Sequence, residues 1–201
     1  MFDEQLILAS TSPRRQELFK KLNRPFTVVP SDFEEDFSLS NDPLQLVQML
    51  ALGKARAVSE IHHEAIVVGA DTIVVFNEKI FGKPHTAEKA LEMLRTLNGT
   101  QHAIITGVTI MQASQSKVIT FAEETKVFFK KVSDQELIDY VATGEPLDKA
   151  GAYALQEKGS FLIDHIEGDV DNAIGLPVVK IGVILNEIPT LGRDAVEGSL
   201  S

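Results

Sequence analysis

The chain contains no cysteine. Disulfides and thiolate metal sites are therefore excluded, and any metal must be held by oxygen or imidazole ligands. The same absence agrees with a reducing cytoplasm, the location expected for this chain. No apolar run approaches the ~18 residues of a membrane span, and no basic segment, apolar core and small-residue cleavage site marks a signal peptide. Basic residues are also in deficit, with 19 Lys and Arg against 29 Asp and Glu and a net charge of −10. That argues against a broad basic surface for nucleic acid, and neither nucleic acid nor membrane is expected as a partner. An acidic protein that binds a polyanion must gather its cations, or metal ions, in one cleft.

What is present suits a single domain with a real core: 201 residues, 44% apolar and 24% charged. Repeats, low-complexity tracts and Pro/Gly/Ser-rich linkers are absent. The pattern predicts a strand over 6–9, a helix over 13–22 and a short strand over 26–29. A helix follows over 43 to about 61, capped at Asn41/Asp42-Pro43, although Gly53 weakens it. A buried strand over 65–69 is expected to end at Ala70-Asp71-Thr72, with 73–76 running on to a turn at Asn77-Glu78. Thr86 caps a helix to Leu97, stopped by Asn98-Gly99. Two long β runs, 103–111 and 118–129, precede a capping box at Ser133–Glu136. Strands are expected over 151–155 and 161–166. Residues 178–185 fit either helix or strand, and a frayed tail is expected after Thr190, with one domain over 1–190. The sum is α/β with a mixed central sheet flanked by helices.

Several short segments carry chemistry. Ser10-Thr11-Ser12-Pro13-Arg14-Arg15 reads as a loop opening a helix, with Ser12 as N-cap and Pro13 at the first helical position. Free N–H groups there attract anions, and two guanidinium groups add planar forks for phosphate oxygens. Asp71 places a carboxylate at the end of an apolar strand, a place for catalysis or simply for a turn. Gly82-Lys83-Pro84 fixes a loop that can present one lysine. In Asp148-Lys149-Ala150-Gly151-Ala152-Tyr153-Ala154-Leu155-Gln156, small residues allow close backbone approach, and the Gln156 amide can read a base edge. The run Asp32-Phe33-Glu34-Glu35-Asp36 is either a solvated loop or the source of a second carboxylate for a divalent cation beside Asp71. The five histidines lack metal-ligand spacing and receive no catalytic role.

Taken in order, Leu8-Ala9-Ser10-Thr11-Ser12-Pro13-Arg14-Arg15, Gly69-Ala70-Asp71-Thr72, Gly82-Lys83-Pro84, Asp148-Lys149-Ala150-Gly151-Ala152-Tyr153 and Gly175-Leu176-Pro177 resemble the Maf family of nucleotide pyrophosphatases. The likeness runs from Leu6 to about Leu185. It implies hydrolysis of a nucleoside triphosphate between its α and β phosphates with Mg²⁺ or Mn²⁺. It also implies two lobes around a deep cleft, a fold similar to the inosine triphosphatase-like fold, and a homodimer.

By position, the resemblance makes Asp71 the proton acceptor, with Lys83 and Glu35 as further catalytic residues. Glu35 and Asp71 are the expected metal ligands, Glu35 being taken over Glu34 by family position. Ser10, Ser12, Arg14, Arg15, Lys54 and Lys149 are the expected phosphate-binding residues. Arg14, Thr72 and Gln156 are the expected specificity residues, in the pattern of the branch acting on dTTP and UTP. Two alternatives stay open: the same reaction on a purine such as 7-methyl-GTP or ITP, and a nucleotide-binding regulator of cell division. Glu157 departs from the family pattern, which usually has glycine after the glutamine. Gly53 before Lys54 is also unusual.

Overall fold

The computed structural model describes residues 5–188. Its centre is β3 (Ile66–Phe76), whose Ile-Val-Val and Ile-Val-Val runs suit a strand covered on both faces. On one edge β3 pairs parallel with β1 (Leu6–Leu8), which pairs parallel with β2 (Thr27–Val28). On the other edge lie β5 (Gln101–Gln112), β6 (Lys117–Phe129) and β7 (Ile163–Glu167), each antiparallel to its neighbour. The seventh strand, β4 (Lys79–Phe81), folds back on β3 through a two-residue turn. Asn77 and Glu78 both have positive φ there, 50° and 63°, the geometry that a tight hairpin demands.

The pairing register leaves a notch. β5 occupies one edge of β3 from Val67 to Val75, so β1 and β4 must share the other. β1 reaches only to Val68 and β4 begins only at Val74. The loop leaving β1 and the loop leaving β4 therefore converge on an open stretch of edge that contains Asp71 and Thr72.

Side chains of β3 alternate between two faces. On one, Val67 and Ile73 pack under α2 (Pro43–Ser59). On the other, Val68 and Ala70 meet α1 (Pro13–Lys20) and α6 (Val178–Glu187). Farther along that second face, Val74 meets α3 (Ala87–Leu97) and α4 (Asp134–Ala142). Two apolar clusters thus share one face of the sheet, and the cleft opens between them.

The expected start signals act as caps. Ser12, Asp42 and Thr86 accept hydrogen bonds from the first turns of their helices, and Ser133 and Glu136 form a reciprocal capping box. Residues 178–187 are helix, which settles the alternative left open by periodicity. α1 stops at Lys20, two residues short of expectation.

Three expectations fail. Asp71 lies in the middle of an uninterrupted strand, because β5 holds it in register on both sides. Residues 151–155 form no strand: Gly151 and Ala152 have φ of 68° and 64°, and the segment is a 3₁₀ turn over Ala150–Ala152 followed by irregular chain. The strand expected over 161–166 begins at Ile163, after a 3₁₀ turn over Lys158–Leu162. A five-residue helix, α5 (Val170–Ile174), capped by Asp169, was not foreseen. The tail expected after Thr190 lies outside the described residues. Among the described residues no helix is long and apolar enough to cross a membrane.

Candidate active site

Glycines let α2 lie directly on the sheet. A Cβ on Gly69 would stand 2.7 Å from both the Ala51 carbonyl oxygen and the Ala55 nitrogen, and one on Gly107 would meet the Val47 carbonyl. Gly107 is the register partner of Asp71, so this close approach occurs where the carboxylate sits. It brings the Lys54 Nζ to 2.5 Å from Asp71 Oδ1 and 2.6 Å from Glu35 Oε1. Gly53 serves the same cluster: a Cβ there would strike the Phe33 ring, which lies across α2 just before Glu35. The helix-weakening glycine flagged in the sequence is what admits the acidic loop. Glu35 lines the cleft and Glu34 does not.

This ammonium draws together two carboxylates that would otherwise repel. Burial pushes the Glu35 carboxyl up, but the Lys54 hydrogen bond and charge, with Lys83 and Arg15 behind it, hold it below the ordinary carboxylate range. Asp71 and Lys54 are largely buried, at 7% and 13% side-chain exposure, so the contact is poorly screened.

Thr72, the next residue, faces the opposite side of the sheet. Its hydroxyl accepts from Arg15 Nη2 at 2.8 Å, while Arg15 Nε donates to the Gly175 carbonyl at 2.9 Å. Burial lowers the Arg15 pKa, opposed by the charges of Asp71 and Glu35; a guanidinium stays protonated regardless. The Ser10–Ser12 loop is folded on itself, Ser10 Oγ accepting from the Ser12 amide at 3.3 Å.

The facing wall comes from two loops tied together. The Gly151 amide donates to the Gly82 carbonyl at 3.1 Å, and the His85 amide to the Leu147 carbonyl at 3.1 Å. Lys149 is largely buried and holds Asp148 at 2.7 Å. Lys83 is exposed and makes no ion pair among the described residues. Gln156 and Arg14 lie at the mouth, where Arg14 Nη1 stands 3.7 Å from Glu157 Oε1.

The loops and strand described here enclose one cleft of about 900 Å³, room for a nucleotide. Ser10, Ser12, Arg14, Arg15, Glu35, Lys54, Asp71, Thr72, Lys83, Lys149 and Gln156 are brought together from six separate segments of chain. Arg15 is not free to grip a ligand with its whole fork, because Nε and Nη2 already serve Gly175 and Thr72. The model of the family described as Maf-like protein matches residues 5–188.

The chain belongs to the Maf family.

A dTTP/UTP pyrophosphatase from Bacillus cytotoxicus is 47% identical over 178 residues, covering 89% of this Maf protein and 92% of the relative. Another protein of that name, from a Geobacillus strain, is 43% identical over 189 residues, covering 94% and 99% of the two chains. Among solved structures, the Staphylococcus aureus Ham1 protein aligns with a TM-score of 0.53 at 15% identity, over 92% of this chain and 99% of that one. That likeness establishes a common fold.

Sequence reasoning missed Thr106 and Asn172. Thr106 is fully buried opposite Thr72, with its Oγ1 3.0 Å from the Thr72 hydroxyl and 3.1 Å from the Asn172 carbonyl oxygen. No signal in the sequence marks it, since a threonine within a β-branched run is an ordinary strand former.

Proposed function

We propose that this Maf protein hydrolyses dTTP and UTP to the nucleoside monophosphate and pyrophosphate. The observation that carries the reading is the Glu35–Lys54–Asp71 cluster at the notch of β3, facing the wall that bears Lys83 and Lys149. The names of its relatives supply the reaction, and the cleft has the charges the reaction needs.

A nucleoside triphosphate brings roughly four negative charges, and positioning and charge stabilisation dominate this chemistry. Lys83, Lys149, Arg14 and the Ser10–Ser12 loop would neutralise and orient the phosphate chain. Asp71 would take the proton of the attacking water, whose oxygen forms a bond to the α-phosphorus as the bond to the α,β-bridging oxygen breaks. Pyrophosphate then leaves with the electron pair, stabilised by the lysines. Asp71 Oδ2 makes no hydrogen bond among the described residues, which leaves it available for that proton. Thr72, Gln156 and Arg14 would select the base.

Glu35 and Asp71 offer the hard oxygen donors that a divalent cation takes, with Lys54 holding one oxygen of each. Mg²⁺ commonly takes one or two carboxylates and completes its shell with water and substrate phosphates. Among the described residues no set of three or more His, Cys, Asp and Glu gathers to hold a metal. When bound there, Mg²⁺ or Mn²⁺ would offset charge on the phosphate oxygens.

Pyrophosphate release from dTTP, UTP, CTP, GTP, 7-methyl-GTP and ITP, with each metal in turn, tests the reading. Selective turnover of dTTP and UTP is expected. A purine preference would move the substrate but keep the reaction. Binding without turnover would favour a nucleotide-responsive regulator.

A further inference from the structure

The hydroxyl of Thr72 sits in a chain of hydrogen bonds whose directions can be deduced atom by atom. Asn172 offers its main-chain carbonyl, which only accepts, so Thr106 Oγ1 donates to it at 3.1 Å. A threonine hydroxyl carries one hydrogen. With that hydrogen spent, Thr106 must be the acceptor in its 3.0 Å contact with Thr72, and Thr72 must be the donor. Arg15 Nη2, which only donates, takes a lone pair of Thr72 at 2.8 Å. Thr72 therefore has no hydrogen left to offer the cleft and one lone pair still free.

The end of this chain is anchored. Asn172 is fully buried on α5, next to the cleft-lining Ala173. Its Nδ2 donates to the Glu123 carbonyl at 3.2 Å and to Thr125 Oγ1 at 2.9 Å, and Thr125 Oγ1 in turn donates to the Asp169 carbonyl at 2.8 Å. Both contacts of the side chain are to β6, so the carbonyl that draws the Thr106 proton cannot easily turn away. Thr106 itself is held opposite Thr72 by the register of β3 and β5.

We propose that Thr106 is a positioning residue for base choice: by giving its proton to Asn172 it obliges Thr72 to face the base as an acceptor only. The ligand that matches is a pyrimidine bearing an imide N–H, as uracil and thymine do. Cytosine, with a lone pair at that ring nitrogen, would set acceptor against acceptor. The proposal rests on the reading above that Thr72 meets the base, and it adds the reason why this hydroxyl discriminates.

The test compares kcat/KM for UTP and CTP in the intact enzyme. Thr106→Val keeps the shape but removes the acceptor, freeing the Thr72 hydrogen to turn toward the cleft. The UTP-to-CTP ratio is expected to fall roughly tenfold or more, because a site committed to one hydrogen-bond pattern discriminates strongly. Thr106→Ser, which keeps the hydroxyl, is expected to hold the wild-type ratio. Thr106→Ala supplies a second hydroxyl-free variant should the valine not be accommodated. A merely structural role would slow both nucleotides together and leave the ratio alone. Thr72→Val separates the two layers. If it collapses the ratio while Thr106→Val leaves it unchanged, the proposal is overturned and the base placement stands. If neither variant moves the ratio, the base does not meet Thr72, and the proposal falls with that placement.

Discussion

At the scale of single residues, two carboxylates invite separate tests, Asp71 inside the cleft and Glu157 beside it. Asp71 has one oxygen without a hydrogen bond among the described residues, beside the open edge of β3, and Asp71→Asn keeps its size while removing its basicity. The expected loss in kcat is about 10²–10⁴-fold, the usual contribution of a general base, with nucleotide affinity by calorimetry nearly unchanged. A variant turning over at the wild-type rate would remove Asp71 from the chemistry. Glu157 stands 3.7 Å from Arg14 and sets a negative charge beside that cleft residue. Both partners are more than a third exposed, so the pair is worth little to stability. Its effect should appear in substrate capture. Glu157→Gln is expected to lower KM roughly two- to fivefold at low ionic strength, with kcat unchanged. The difference should vanish near 1 M salt, where the screening length falls to about 3 Å; a KM gap that persisted there would contradict an electrostatic origin.

At the scale of elements, the site depends on how closely α2 rides the sheet. Gly107→Ala inserts a methyl group against the Val47 carbonyl, which is backbone and cannot swing aside. Overpacking of this kind costs about 1–3 kcal/mol, or a Tm lower by about 2–12 °C for a chain of this size. Activity should fall further than stability, because lifting α2 draws Lys54 from Asp71 and Glu35. Calorimetry and a turnover assay on the same sample would show it, and full activity at a depressed Tm would break the link. The same packing explains what was legible in the sequence. Caps at Ser12, Asp42, Thr86 and Ser133 depend on local hydrogen bonds, so their residues announce them. The candidate site residues from Ser10 to Gln156 were named from the family resemblance, and the structure gathers them in one cleft. The turn over Ala150–Ala152 was not legible, because its left-handed residues are fixed by a tertiary bond from Gly151 to Gly82. Nor was the mid-strand position of Asp71, which β5 imposes from 36 residues away. α5 has only five residues, too few to show a helical period.

At the scale of the whole molecule, one buried titratable group couples the fold to pH. His102 lies in the second apolar cluster at 3% exposure, edge-on to Phe129 and Tyr153, with Nε2 2.6 Å from the Tyr153 hydroxyl. Its Nδ1 is buried with no partner among the described residues, so a charged ring would have a donor with nowhere to turn. Burial lowers its pKa from 6.5 to about 4. Above pH 6.5 the ring is neutral in both folded and unfolded chains, and the stability it permits is fully present. Below 6.5 the unfolded chain binds a proton that the folded one refuses, so stability falls as pH drops, until the folded form also protonates near pH 4. The slope approaches 1.4 kcal/mol per pH unit, and the whole window amounts to about 3 kcal/mol. Urea unfolding at pH 7, 6 and 5 should show that decline in the wild type and a flatter profile in His102→Gln, whose amide cannot titrate. Tyr153 also lines the cleft, so the loss should reach the active site as well as the core. Equal slopes in the two proteins would assign the acid sensitivity to other groups.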